Sequence, residues 1–352
     1  MFHVKHFIKF SNCFRICLIY DIMKIHFSTK RQVLYLKKKL TTGAILIATA
    51  TVTIHVINKI VFYLSTIDNH LSKQEGNSYE WRFGNIFYQK QGEGSPILLV
   101  HDLNAHSSGY EWRKTAALLA EKHTVYTIDL LGCGRSDKPN CTYTNFLYVQ
   151  LINDFIKNVI GEKTDVIATG ESASFVTMAC GMGENLIGKI AMVNPLSFAE
   201  LATVPSKRTK SLKLLIQLPI IGTLLYNILQ SKRCIEETFQ TKYFYNIGKI
   251  EDTAIKIYCE SAHTGNTHSK YLFASIKGRY TKANILPCIE KLTNSMFIIS
   301  GTLDPFANEI AEQYQKHVPA IEVVSVDETG YLPQMEAPDK FVEQIEIFFA
   351  VE

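Results

Sequence analysis

The 352-residue chain predicts an α/β domain: a mostly parallel sheet with helices on both faces, a helical cap inserted late, and an apolar helix ahead of it. Three observations carry this. Residues 97–100 are a short, continuous apolar run, the mark of a strand buried on both faces, and 124–129 read as another buried strand. Segments with apolar residues three and four apart alternate with such runs, which implies parallel connections. Residues 196–290 then break the alternation with helical patterning, and strand character returns only at 295–300.

The elements follow in order. Residues 1–42 are basic and irregular, dominated by Lys24, Lys30, Arg31, Lys37, Lys38 and Lys39, and Met23 offers an alternative start. Residues 43–64 are apolar and span roughly 30 Å as a helix, enough for a bilayer core. His55, Asn58 and Lys59 interrupt this run, although Lys59 can snorkel. A basic flank before an apolar run also describes a signal peptide, but no small-x-small cleavage site follows. An uncleaved anchor is the expectation, with a helix packed on the domain as the alternative. The lysine cluster ahead of it places the N-terminus inside and the large domain on the non-cytoplasmic side.

The folded domain is expected over 79–352. Residues 79–83 and 85–89 read as two strands around Gly84, and 92–96 as a turn. Strand 97–100 leads into a polar loop, 101–108, and a helix over 110–121. Strand 124–129 leads into loop 130–139 and a helix over 144–160. Residues 164–169 form a strand that runs into Gly170, Glu171, Ser172, Ala173 and Ser174, then an apolar helix. Residues 186–194 add a further strand. The cap contributes helices at 212–229 and 250–262, with a turn or kink at 219–222. After strand 295–300 come a helix, strand 321–326 and an amphipathic helix at 337–351.

Net charge is +4, but the basic excess sits before residue 75, and no basic stripe with interleaved aromatics marks the folded part. A nucleic-acid partner is therefore not expected. Eight cysteines are scattered without a C-x-x-C pair, so neither a zinc site nor a disulfide framework is indicated. No dinucleotide fingerprint or P-loop occurs, so no cofactor is expected. Oligomeric state is not legible.

From residue 79 onward the order of motifs resembles the α/β-hydrolase superfamily, in its branch with a helical cap. Leu98-Leu99-Val100-His101 is similar to the strand entering an oxyanion loop. The run from Asp129 to Pro139 resembles a D-x-x-G-x-G-x-S-x-x-P loop. Gly170 to Ser174 resembles the nucleophile elbow, G-x-S-x-G, with Ser174 in place of the second glycine. Ser300-Gly301-Thr302-Leu303-Asp304 resembles the turn carrying the triad acid. The run from Gly330 to Pro338 resembles the G-H-x-P-x-x-E-x-P segment carrying the triad histidine.

The resemblance implies Ser172 as nucleophile, Asp304 as acid, and an oxyanion hole from the backbone N–H groups of Ala173 and Leu103. It implies strained backbone at Ser172, which lifts the hydroxyl above the sheet edge. Two departures bear on activity. Tyr331 stands where the histidine belongs, and its ordinary pKa near 10 makes it a poor proton acceptor. Asp102 follows His101, where a carboxylate opposes a developing oxyanion unless it points into hydrogen bonds. His101, His106, His263, His268 and Glu171 are candidate substitute bases, each with a plainer structural reading. Asp137 and Arg135 are expected to brace their own loop. Ser at the elbow excludes the alkyl-enzyme ester route, which needs Asp there.

Two readings follow. One is a membrane-anchored serine hydrolase, acting through Ser172 on an ester or related carbonyl substrate that is small and hydrophobic or lipid-like. The other is a pseudo-hydrolase that binds a ligand or partner without turnover.

Overall fold

The computed structural model describes residues 4–350 apart from 72, 74, 183 and 184, with side chains described from Gln32 onward. Two compact units are distinguished, Met1–Ile57 and Asn58–Glu352. The described residues of the first are helical. Helix α1 runs Val4–Thr66, so its last residues belong to the second unit. The irregular segment expected over 1–42 is thus helical from Val4 on. The sequence contains no proline before Pro96, and Gly43 is the first glycine, so nothing local breaks the helix there.

The second unit is built on eight strands: β1 Asn77–Trp81, β2 Gly84–Gln91, β3 Pro96–Val100, β4 Thr124–Ile128, β5 Thr164–Thr169, β6 Ile187–Val193, β7 Met296–Gly301 and β8 Glu322–Val326. Their order in the sheet is β1-β2-β4-β3-β5-β6-β7-β8. β1 and β2 form a hairpin and β2 meets β4 antiparallel; every pairing from β4 to β8 is parallel. Gly84 turns the hairpin at φ +143°, and a Cβ there would lie 2.7 Å from Asp137 Cβ.

The continuous apolar run of β3 has a direct cause. Ile97 and Leu99 of β3 face one layer, with Trp112, Phe341 and Phe348, while Leu98 and Val100 face the other, with Tyr148, Phe155 and Phe175. Side chains alternate across a strand, so two covered faces leave no polar position. One layer is α2 Arg113–Leu119 and the C-terminal helix; the other is α3 Asn145–Phe155, continued by a π-turn over Ile156–Ile160, and α4 Ser172–Cys180.

Between β6 and β7 every regular element is helical: α5 Phe198–Leu201, α6 Lys207–Gln217, α7 Ile221–Leu229, α8 Lys232–Thr238, α9 Asp252–His263, α10 Lys270–Lys277 and α11 Leu286–Ile289. The helical reading of 212–229 is met as two helices, broken at Pro219 and Ile220. Helix α12 Ala307–His317 follows β7, and α13 Pro333–Glu336 and α14 Pro338–Ala350 close the chain.

Candidate functional site

The site lies at the C-terminal ends of β3, β5 and β7, where loops leave a parallel sheet. β5 ends at Thr169, and α4 begins at Ser172. Only two residues make the turn between them. Gly170 carries the sharp conformation, φ +57°, while Glu171 is already helical at φ −64°, ψ −30°. The strained apex expected at Ser172 therefore sits two residues earlier, at Gly170. The reason is the strand's length: Thr169 still pairs with Val193 of β6, which leaves the chain to reverse directly after it.

Ser172 is fully buried in the first turn of α4, and its hydroxyl donates to the His101 carbonyl at 2.6 Å. This bond ties the turn to the loop after β3. The Ala173 N–H, expected in an oxyanion hole, points back to the Gly170 carbonyl at 3.3 Å. Ser174 donates to the Glu171 carbonyl at 2.6 Å, so it too is committed to the helix start. Leu103 is buried in the core.

The residue after the apex is Glu171, and its N–H is the amide that an elbow would direct at an oxyanion. Here it donates to Asp102 Oδ1 at 3.0 Å. The other carboxylate oxygen, Asp102 Oδ2, accepts from the Tyr331 hydroxyl at 3.2 Å. The buried Asp102 carboxyl thus spans the elbow amide and the tyrosine. A Cβ added to Gly170 would overlap both the Tyr331 hydroxyl and Asp102 Oδ1, and would lie 2.7 Å from Asp102 Cγ. The apex, Asp102 and Tyr331 fill one space between them.

Tyr331 is fixed from several sides. Its N–H donates to the Lys242 carbonyl at 2.9 Å, and its own carbonyl accepts from Asn194 Nδ2 at 2.8 Å. Its ring stacks on Tyr243, and Lys242 Nζ lies 3.8 Å from its centroid. Burial, reinforced by the Asp102 charge, holds the Tyr331 phenol well above its ordinary pKa, so it is a donor only. Asp304 accepts the Phe306 N–H at 2.9 Å, and among the described residues no hydrogen bond joins it to Tyr331. Both border a cleft of about 140 Å³, with Asn194, Leu196, Lys242 and Ile310.

The candidate substitute bases are spoken for or stand elsewhere. The His101 ring accepts the Leu130 N–H at Nε2, 3.0 Å, so its Nδ1 carries the proton that bonds the Asp102 carbonyl at 2.8 Å. His106 places Nδ1 2.9 Å from Gln230 Oε1 and Nε2 2.9 Å from the Tyr243 hydroxyl, and burial lowers its pKa to about 4. His263 donates from Nδ1 to the Cys259 carbonyl at 2.7 Å, and His268 is exposed. Glu171 is buried against Lys282, at 3.0 Å. None of these side chains has a hydrogen bond to Ser172. Arg135 and Asp137 brace their loop as expected: Arg135 Nε bonds Asp129 at 3.0 Å, and Asp137 takes the Asn85 N–H at 2.7 Å.

A buried polar group beneath the apex was not anticipated from the sequence. Glu111 Oε1 accepts from Thr169 Oγ1 at 2.5 Å and from Gln334 Nε2 at 2.8 Å, and Oε2 accepts the Asp102 N–H at 3.3 Å. Glu111 supports the backbone of the residue whose carboxylate caps the elbow. Among the described residues, no group of three or more His, Cys, Asp or Glu side chains is placed to hold a metal ion.

Residues 97–344 match the model of a family described as the alpha/beta hydrolase family. A 2-hydroxy-6-oxo-6-(2'-aminophenyl)hexa-2,4-dienoic acid hydrolase of Metapseudomonas resinovorans is 33% identical over 94 residues, 25% of this chain and 32% of the relative. A pimeloyl-[acyl-carrier protein] methyl ester esterase of Aliivibrio fischeri is 25% identical over 121 residues, 34% of this chain and 40% of the relative. The matched stretches thus span well under half of either relative. A serine hydrolase involved in carbazole degradation superposes with TM-score 0.65 at 16% identity, over 79% of this chain and 99% of that one. A bacterial membrane phospholipase A superposes with TM-score 0.61 at 16% identity, over 89% of this chain and 98% of that one. At such identities the structures speak for the fold alone.

Proposed function

We propose that this chain, which belongs to the alpha/beta hydrolase family, is a membrane-anchored binding module without ester turnover. One observation carries the reading: the elbow apex is Gly170, and the space in front of it is taken by Asp102 and Tyr331. Acyl transfer needs a hydroxyl at the apex, a base within reach and an open oxyanion hole. The apex has no side chain, the base position holds a phenol, and the amide that would receive the oxyanion is bonded to a carboxylate. Each change alone is severe; together they form one self-satisfied unit. The cleft beside Asp304 and Tyr331 is left to hold a small ligand, with Lys242 and Asn194 as polar contacts and Leu196 and Ile310 as apolar ones.

The alternative is turnover through Ser172, which draws its support from the hydrolase and esterase relatives. Labelling of the full chain with a fluorophosphonate probe separates the two. The expected result is no labelling above that of Ser172→Ala, and no hydrolysis of short-chain nitrophenyl esters above background. Labelling lost specifically in Ser172→Ala would overturn the binding-module reading.

The anchor belongs to the same proposal. Residues 32–66 lie in one helix with a mean hydropathy of 1.8 over its most apolar window, and nearly all of that window is exposed. Exposed apolar side chains such as Ile45, Leu46, Ile47 and Val52 suit lipid. The lysines ahead of it place the large domain on the non-cytoplasmic side. A reporter fused after Leu64 is expected there; a cytoplasmic reporter would reverse the orientation.

A further inference from the structure

The corner where α6 meets α7 exposes apolar side chains that the fold does not use. Leu214 is 65% exposed, Leu218 46%, Ile221 58% and Ile228 56%. The corner's inner side is already satisfied: Ile216 and Tyr226 are buried in a cluster with Phe62 and Phe273. A surface helix pair ordinarily turns polar residues outward. Here apolar side chains also point outward at the corner, and the two arms meet at 103°. Exposed apolar side chains gathered at one corner mark a candidate interaction surface.

Three further observations say what covers it. The corner is tied to Asn58, the first residue of the folded unit. Ile220 holds a left-handed φ of +61°, unusual for a β-branched residue, and its carbonyl accepts from Asn58 Nδ2 at 3.0 Å. Asn58 Oδ1 in turn accepts from Asn227 of α7 at 3.0 Å. Asn58 follows directly on the apolar run 43–57 and is bonded to the corner itself. The apolar surface also continues on α1 beyond Asn58, where Ile60 is 50% and Leu64 63% exposed. Finally, α6 carries Lys207, Arg208 and Lys210 on exposed positions and no acidic residue. Basic residues beside an apolar face suit anionic headgroups.

We propose that the α6–α7 corner is a second membrane contact, seated in the headgroup and upper acyl region of an anionic bilayer. This rests on reading the apolar helix up to Ile57 as an anchor; the sequence-based span to residue 64 is shortened because Asn58 and Phe62 are buried within the folded unit. The bound surface is lipid; Leu218 and Ile221 enter the acyl boundary while the lysines of α6 stay at phosphate level. The cap is thereby held at the membrane surface, which presents the cleft beneath it to molecules arriving from the lipid phase.

The test uses the full chain reconstituted into phosphatidylcholine–phosphatidylglycerol vesicles. The sequence has two tryptophans, and both Trp81 and Trp112 are buried, so an added tryptophan reports its own surroundings. Leu218→Trp and, independently, Ile228→Trp place the reporter on the corner, at positions exposed enough to accept it. Ile47→Trp reports the anchor, and Phe306→Trp, at a position 62% exposed on the loop after β7, reports water. Lipids doxyl-labelled at carbon 5 are expected to quench the corner reporters by about twofold or more. Phe306→Trp is expected to respond to aqueous acrylamide alone. If Ile47→Trp is quenched by lipid and both corner reporters respond only to acrylamide, the corner contact is refuted while the anchor stands. If Ile47→Trp escapes lipid quenching as well, the anchor reading fails and takes the corner with it. Corner reporters shielded from both quenchers would overturn the lipid assignment in favour of a second copy or another protein.

Discussion

Gly170→Ala is expected to destabilise the protein by about 3 to 5 kcal/mol, read as a fall in the urea midpoint of the full chain in detergent. Two costs combine. A left-handed backbone costs a residue with a Cβ roughly 1–2 kcal/mol relative to glycine. The new methyl also overlaps the Tyr331 hydroxyl and Asp102 Oδ1, so the bond from that hydroxyl to Asp102 Oδ2 must break. A buried hydrogen bond to a charged group is worth about 1.5–3 kcal/mol. Because the second cost acts through named partners, it is separable. In an Asp102→Ala, Tyr331→Phe background the same change is expected to cost only the backbone part, about 1–2 kcal/mol. An equal cost in both backgrounds would show that the three residues do not share one space. The same geometry bears on restoring chemistry. Tyr331→His alone is expected to give no ester hydrolysis, because it supplies a base to an apex that has no hydroxyl and leaves Asp102 on the Glu171 amide.

The frame of this fold was legible because buried parallel strands announce themselves locally. Residues 97–100 are apolar throughout, since each face of the sheet is covered, and no distant contact is needed to read that. The loop from Asp129 to Pro139 was legible too, since its Asp, Gly and Ser residues bond mainly within the loop and to the neighbouring hairpin. The apex was not. Small residues at Ala168, Gly170, Ser172 and Ser174 allow the elbow to be framed at either of two positions. What decides is where β5 stops, and that is set by pairing across the sheet, Ala168 with Val100 and Thr169 with Val193. A serine in the familiar place drew the frame two residues too late; the pattern Ala168-Thr169-Gly170-Glu171-Ser172 was the signal for the other. The Glu111 group was hidden for a similar reason. Its partners Thr169, Gln334 and Asp102 come from three separate segments, and none forms a local motif with it. Helix α1 exceeded expectation because basic residues were read as irregular chain, although lysine and arginine are good helix formers.

Glu111 also makes stability depend on pH in a direction opposite to the usual carboxylate. Burial pushes its carboxyl from the ordinary 4.5 up to about 8; the Asp102 charge adds to the rise, and hydrogen bonds from Thr169, Gln334 and the Asp102 amide oppose it. The folded protein therefore keeps a proton on Glu111 at pH values where the unfolded chain has lost it. Where the folded state binds the extra proton, raising pH disfavours folding. The contribution is complete below the unfolded value of 4.5 and is lost as pH rises through about 8. A shift of this size corresponds to about 3 to 5 kcal/mol across the window. Buried histidines pull the other way: His101 and His106 are held below their ordinary pKa, chiefly by burial, and penalise folding as pH falls below 6.5. Subtracting the unfolding free energies of Glu111→Gln from those of wild type isolates the carboxyl, since glutamine keeps the shape and cannot ionise. That difference is expected to fall steadily from pH 5 to pH 8 and to level off above it. A difference that stays flat would mean that Glu111 ionises in the folded protein as it does in the unfolded chain. Asp102→Asn should narrow the window from its upper end, because it removes the neighbouring charge that helps keep Glu111 neutral beneath the capped elbow.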